Sequence, residues 1–241
     1  MIYVAGPAGH KNYRLREKMR KMFPNTVTTS TQAPSTKKYI KRQINKSIET
    51  KERNFEISEQ QVSSNDTYPN SITFTDISSG RDDNQRVGNV VHLTKLTYKM
   101  FLHNSGNTDC LVRMLVVRSK GMSSNTQCNQ GINLFKSGNA TVSYVSATYA
   151  TRIAKDVDRT NYTVLSDKII KLAGLSKSEE NNKIIKFTKY YKNKRTDFAD
   201  QDSAEAINPI KLLFYVVDSA LDTNVPVVEV TGETSTYYKD A

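Results

Sequence analysis

Two stretches decide the fold: Cys110-Leu111-Val112-Arg113-Met114-Leu115-Val116-Val117 and Ile210-Lys211-Leu212-Leu213-Phe214-Tyr215-Val216-Val217. Each is apolar on both faces that a strand presents, the pattern of a strand in the middle of a sheet. Working outward, Leu96, Tyr98, Met100 and Leu102 alternate with Thr97, Lys99, Phe101 and His103, which describes a half-buried strand. Val91 and Leu93 fall on the opposite phase from Leu96, which places a bulge near Thr94-Lys95. Further strands are predicted at Phe55–Val62, Ser71–Asp76, Ala140–Ala150, Tyr162–Leu172, Ile184–Tyr191 and Val225–Val230, and a helical turn at Ala204–Ile207. Turn signals separate them at Ser79-Gly80, Asn104–Asn107, Ser137-Gly138-Asn139 and Ser176–Asn182. Roughly eight to ten short strands with little helix describe an all-β antiparallel sandwich or barrel of Greek-key type.

The chain has 241 residues, 37% of them apolar, within the range of a single β-sandwich that buries a core. It holds no apolar run near the ~18 residues of a membrane span. Its first residues, Met1 to Pro7, lack the basic region and apolar stretch of a signal peptide. Cys110 and Cys128 are too few for a disulfide framework and belong to no C-x-x-C pair. The expectation is a protein that is neither secreted, nor disulfide-stapled, nor membrane-spanning.

The net charge of +11 is unevenly placed. Residues 1–46 contain Lys11, Arg14, Arg16, Lys18, Arg20, Lys21, Lys37, Lys38, Lys41, Arg42 and Lys46, with Glu17 the sole acid, a net of +10. The other 195 residues hold 24 basic and 23 acidic side chains, a net of +1. A nearly neutral body behind a basic arm marks a segment that binds polyanions, since like charges so close together resist packing into a core. Within the arm, Lys11 to Phe23 has the spacing of a short helix that Pro24 would end, and residues 25–36 form a polar spacer. Nucleic acid is the expected partner of these cations. The alternatives are a solvated, disordered terminus and an amphipathic helix at a membrane surface. The division is a partly helical or disordered arm over 1–54 and a β domain over 55–241.

No catalytic set is found. Gly6-Pro7-Ala8-Gly9-His10-Lys11 has two residues between its glycines where a P-loop has four, and Asn12 follows the lysine. His10, His92 and His103 form no metal-ligand spacing, and no nucleophile elbow is present. Cys110 reads as core and Cys128 as a loop thiol with nothing to activate it. The carboxylates Asp197, Asp200, Asp202 and Glu205 read as a solvated loop ahead of a calcium site. No cofactor and no metal are expected. The sequons at Asn45, Asn65, Asn139 and Asn161 carry no meaning without a secretory signal.

A second basic stretch runs from Lys183 to Arg195 and interleaves Lys186, Lys189 and Lys192 with Phe187, Tyr190 and Tyr191. Cations for phosphates beside rings for bases suit single-stranded nucleic acid. An edge strand guarded by lysines explains the same cations without using the tyrosines. On a strand, Lys186, Thr188, Tyr190 and Lys192 would share one face, with Phe187, Lys189 and Tyr191 on the other. The candidate nucleic-acid contacts here are Lys186, Lys189, Tyr190 and Lys192.

Ser78-Ser79-Gly80-Arg81-Asp82-Asp83-Asn84-Gln85-Arg86-Val87-Gly88-Asn89-Val90-Val91 resembles the G-x-x-x-N-x-R-x-G segment of capsid proteins from small circular, Rep-encoding single-stranded DNA viruses (circovirus-like, CRESS-DNA). Tyr162 to Lys168 is similar to that family's aromatic-to-Asp-Lys strand, and Thr231 to Ala241 to its closing aromatic-x-Asp segment. The arm departs from the family's usual arginine density. The resemblance implies a single jelly roll of about eight core strands that assembles itself into an icosahedral T=1 shell of sixty copies. It also implies a packaged single-stranded DNA genome, a virion location with host-nuclear assembly, and host import factors and a receptor as partners. In this reading Gly88 supplies an unusual backbone angle and Arg86 pairs with Asp82 or Asp83. A satellite RNA virus coat uses the same parts, whereas a cellular single-strand-binding β-barrel would form no shell and a β-sandwich glycosidase would show paired carboxylates in a groove. Short basic runs also serve as nuclear import signals.

Overall fold

A computed structural model describes residues 49–120, 125–175, 180–200, 205–218 and 227–241. In chain order these form β1 (Lys51–Ser63), β2 (Asn70–Thr73), β3 (Val90–Asn104), β4 (Cys110–Ser119), α1 (Asn125–Asn129), β5 (Phe135–Ser137), β6 (Ala140–Val142), α2 (Tyr149–Ala154), β7 (Tyr162–Leu172), β8 (Asn182–Asp197), β9 (Ile210–Asp218) and β10 (Val227–Asp240). Sheet A has the order β1-β10-β3-β8 and sheet B the order β2-β9-β4-β7. The antiparallel pairs are nested: β1 with β10, β2 with β9, β3 with β8, β4 with β7. First pairing with last and second with second-last across two sheets is the jelly roll.

The doubly apolar strands β4 and β9 serve two cores. Val112, Met114 and Val116 with Leu212, Phe214 and Val216 fill the space between the sheets, joined there by Leu96, Tyr98, Met100 and Leu102 of β3. Leu115 and Val117 with Leu213, Tyr215 and Val217 point the other way, under the insertion that links β4 to β7. That insertion contributes Leu134, Phe135, Tyr144 and Val157, and the Tyr144 ring meets Tyr215 edge-on at 5.1 Å.

Arg113 fastens the insertion to the sheet. Its Nε and Nη2 donate to the two carboxylate oxygens of Asp167 at 3.0 and 2.6 Å. Its Nη1 donates to the carbonyls of Arg152, Ile153 and Lys155 at 2.7, 3.2 and 2.8 Å, where α2 ends and its last carbonyls lack helical partners; Tyr215 Oη also donates to Arg152 O at 2.8 Å. Asp167 thus has a structural role in this fold.

The bulge near Thr94 is present: Lys95 pairs with Tyr237 and Leu93 with Tyr238, and Thr94 Oγ1 donates to Tyr237 O at 3.0 Å. Several expectations need correction. β1 begins at Lys51, not Phe55, because Lys51 pairs with Asp240 at 3.0 Å and Arg53 with Asp76 at 3.3 Å; residues 51–54 belong to the sandwich. β2 stops at Thr73, short of Asp76, and β8 extends past both ends of Ile184–Tyr191. β10 runs on to Asp240, since Thr234 and Thr236 are buried and Thr236 Oγ1 donates to Phe74 O at 2.7 Å. Ala140–Ala150 is not one strand. It breaks after Val142 into a 3-10 turn and then α2, whose first turn is capped by Thr148 Oγ1 accepting from Thr151 N. Glu205 and Ala206 form extended bridges to Asp76 and Phe198 instead of a helical turn.

Gly88 has φ +84°, as its role at the start of β3 requires. Arg86 pairs differently from expectation: Asp82 and Asp83 are exposed, while Arg86 is fully buried. It donates to the carbonyls of Ile77 at 3.1 Å, Asp200 at 2.9 Å and Gly88, with its guanidinium 4.1 Å from the Phe198 ring centre. The Arg86–Gly88 segment also meets the closing segment, where Val87 N donates to Asp240 Oδ1 at 3.0 Å.

Cys128 is not a loop thiol. It lies in α1, fully buried beneath the insertion, and burial pushes its thiol up to about 11. At pH 8 the native protein should therefore leave Cys128 unlabelled by a thiol reagent. Arg113→Ala should cost ~3–5 kcal/mol in denaturant unfolding, because it leaves Asp167 and the Ile153 and Lys155 carbonyls without this donor. Peptide mass spectrometry should then find Cys128 labelled before Cys110. Equal protection of both cysteines in the variant would show that Arg113 does not hold the insertion.

Candidate nucleic-acid interface

The arm residues Lys11, Arg14, Arg16, Lys18, Arg20, Lys21, Lys37, Lys38, Lys41, Arg42 and Lys46 lie outside the described residues. The second basic stretch is β8, at the edge of sheet A. Its alternation is as predicted in part: Ile185 is buried and Phe187 and Tyr191 half-buried, while Lys186, Thr188, Tyr190 and Lys192 are exposed. Lys189 faces the inner side by parity, opposite Leu96, yet remains exposed because β8 has no neighbour beyond it.

The three aromatic rings differ in what they can offer a base. Phe187 stacks on Tyr98 at 5.2 Å between ring centres with a 15° interplanar angle. Tyr191 packs against the core, and burial pushes its hydroxyl up to about 12. Tyr190 is 75% exposed, an open ring between Lys189 and Lys192. The edge also deforms beside it: β3 residues Leu93 and Lys95 flank one residue, whereas their partners Lys194 and Tyr190 flank three. Tyr191, Lys192 and Asn193 form this bulge, and Asn193 takes φ +54°. Such a bulge re-aims side chains and blocks pairing with a foreign strand, so the lysines of an edge are here accompanied by a second protective device.

Of the four predicted contacts, Lys189, Tyr190 and Lys192 gather at the bulge. Lys186 stands about 16 Å from Lys192 along the sheet, five residues of β3 at ~3.3 Å each, because the bulge shortens β8 there. Lys186 is opposite Lys99 of β3, and its carbonyl accepts from Lys168 Nζ at 2.7 Å, a tie between the adjoining edges of the two sheets. Arg195 is engaged by Asp197 at 2.7 Å, leaving Lys194 as the further exposed cation at this end. Lys95 was missed from the sequence: it lies opposite Tyr190, with its Nζ 3.7 Å from the Tyr237 ring centre. Only the strand register reveals it, since nothing in β3 alone distinguishes Lys95 from any solvent-facing lysine.

Elsewhere the chemistry is structural. Lys211, fully buried, donates to Asn129 Oδ1 at 2.6 Å and to Glu205 Oε1 at 3.3 Å. Among the described residues no three His, Cys, Asp or Glu side chains group to hold a metal, and no helix is long and apolar enough to cross a membrane.

By its strand order the described chain is an antiparallel jelly-roll β-sandwich. No family model and no curated protein matches it. Among solved structures it is similar to one of Desmodium yellow mottle tymovirus, at 11% identity and a TM-score of 0.30, covering 79% of this chain and 86% of that one. A structure from sacbrood virus of honeybee has 10% identity and a TM-score of 0.36, covering 78% and 72%. One of deformed wing virus carrying the GFP gene has 11% identity and a TM-score of 0.31, covering 78% and 44%. The fold assignment rests on the nested pairing of strands, not on these likenesses.

Tyr190→Ala should leave the melting temperature of the protein within about 1 °C of the parent, since the residue is three-quarters exposed. Phe187→Ala should lower stability by ~2 kcal/mol, less than a fully buried ring because Phe187 is half-buried. Thermal unfolding of both variants checks the contrast; a large loss for Tyr190→Ala would make that ring structural.

Proposed function

We propose that this chain is a viral coat protein that assembles with copies of itself into a closed shell around a single-stranded nucleic acid, and that it has no catalytic activity. The observation that carries the reading is the joining of a jelly-roll body of net charge +1 to an N-terminal segment of net charge +10. A shell subunit needs a body whose neighbours approach without mutual repulsion, together with a separate source of cations for the phosphates. The three segments resembling circovirus-like capsid proteins support the finer reading of a T=1 shell, a circular single-stranded DNA genome, and assembly in the host nucleus.

Sixty copies would bring roughly 600 arm charges, enough to neutralise a few hundred nucleotides at one charge per phosphate. A longer genome needs counterions or further protein surface. The bulged end of β8 suits that use: Lys189, Lys192 and Lys194 meet phosphates while Tyr190 stacks on a base. Binding of this kind is largely blind to sequence and weakens steeply with salt.

The test is negative-stain microscopy of the purified full chain after nuclease treatment, followed by digestion of whatever nucleic acid the particles release. Uniform closed particles that protect DNase-sensitive, single-stranded material are expected. Deleting residues 1–46 should remove the protected nucleic acid and leave the circular dichroism spectrum of the body unchanged. A small monodisperse species that binds single strands, with no particles across a range of salt and pH, would replace the coat-protein reading with that of a cellular binding module.

A further inference from the structure

The two outer faces of the sandwich are unlike. The insertion between β4 and β7 covers sheet B, whereas the outer face of sheet A carries exposed charges and rings. Strand register sorts those charges. One rung crosses all four strands as Glu56, Glu233, Lys99 and Lys186, so the β1/β10 half is acidic and the β3/β8 half is basic. The next ladder position places Thr231, Phe101 and Ile184 side by side, and the one beyond it Gln61, Glu229, His103 and Asn182. Phe101 is 42% and Ile184 57% exposed, and they line an open groove of about 500 Å³ with Phe55 and Gly232. Among the described residues, none of Glu56, Glu233, Lys99 and Lys186 is ion-paired.

We propose that this face is an interface between two copies of the chain, related by a two-fold axis lying in the contact plane parallel to the strands. Such an axis sets β1 over the partner copy's β8 and β10 over its β3, so the acidic half of each copy meets the basic half of the other. Glu56 then faces the second copy's Lys186, Glu233 its Lys99 and Glu229 its His103, while the two Phe101 rings flank the axis, each over the other copy's Thr231. An in-plane axis perpendicular to the strands would stack each strand on itself, glutamate on glutamate and lysine on lysine, which like-charge repulsion disfavours. The charge pattern therefore selects one axis.

A nucleic acid is the poorer occupant, because half of the face would repel phosphates. The bulged end of β8, with Lys189, Tyr190 and Lys192, lies along the strand from the Lys186 rung and is left for that role. Four strands about 4.8 Å apart and the seven residues of β3 from Thr97 to His103 give a flat area of roughly 450 Å² per copy. That is below the ~800 Å² per partner of a standard stable interface, so the contact is weak for an isolated pair and gains strength through repetition in an assembly. The inference rests on the coat-protein reading only in taking its repetition from a closed shell.

Two charge-reversed full-length variants test it, Lys99→Glu/Lys186→Glu and Glu56→Lys/Glu233→Lys, all at exposed positions. In sedimentation velocity over a concentration series, each variant alone should associate at least ~10-fold more weakly than the parent, and a 1:1 mixture should recover parental association. Recovery in the mixture supports the interface whether the parent forms shells or only pairs, so it stands apart from the fate of the coat-protein reading. Unchanged association of each variant alone, or a mixture as weak as its parts, would overturn the inference. Unchanged association with weaker oligonucleotide binding by the lysine-reversed variant would assign the face to nucleic acid instead.

Discussion

The contact between Arg113 and the end of α2 determines which surfaces this molecule has left to offer. A guanidinium in the middle of a central strand would be costly if left alone under apolar cover. Here Asp167 supplies its counter-charge and three carbonyls take the remaining donor group. The same hydrogen bonds close the unsatisfied end of a short helix, so the polar demands of two elements cancel each other. Around that node Tyr144, Phe135 and Tyr215 pack edge to face and seal sheet B beneath the insertion. The outer face of sheet A is thereby distinguished as the broad strand surface with exposed charges and rings.

Charge then divides the labour. The body's acidic and basic side chains nearly balance in number, and one rung on the outer face of sheet A segregates them, with Glu56 and Glu233 on β1 and β10 and Lys99 and Lys186 on β3 and β8. Such balance with local polarity suits contacts between copies, which must attract in one register and repel in others. The unbalanced charge is confined to residues 1–46 and, on a smaller scale, to the bulged end of β8. Neither place requires cations to be buried in a core, so a strong positive field can be carried at little cost to folding.

Much of the sandwich could be read from residues because its strands obey a simple period. β7 has the predicted bounds, β3 shows its bulge through the phase change between Leu93 and Leu96, and β4 and β9 declare themselves by being apolar on both faces. What escaped was set by tertiary contact. The polar Thr234-Ser235-Thr236 run lies beyond the predicted Val225–Val230 strand and joins β10 because it is held between β1 and β3. Val142 and Tyr144 face the insertion's core at the two-residue spacing of a strand, while Thr148 is already capping a helix. In the candidate site, the alternation of β8 was legible and put Tyr190 and Tyr191 on opposite faces, but period alone does not say which face is covered. Tyr190 and Tyr191 are neighbours with opposite fates, and only packing tells which ring is open. The Glu56–Glu233–Lys99–Lys186 rung draws on four segments of the chain and exists only through register.

The central claim is that the basic segment, not the body, supplies most of the attraction for phosphates. The most direct test compares the salt dependence of binding to a short oligothymidine for the full chain and for a chain lacking residues 1–46. On a single strand log K falls with log salt by about 0.7 per phosphate neutralised, so ten net charges should steepen the full chain's slope by about 7 relative to the truncated one. Slopes that agree within one would contradict the account and place the polyanion-binding surface on the jelly roll itself.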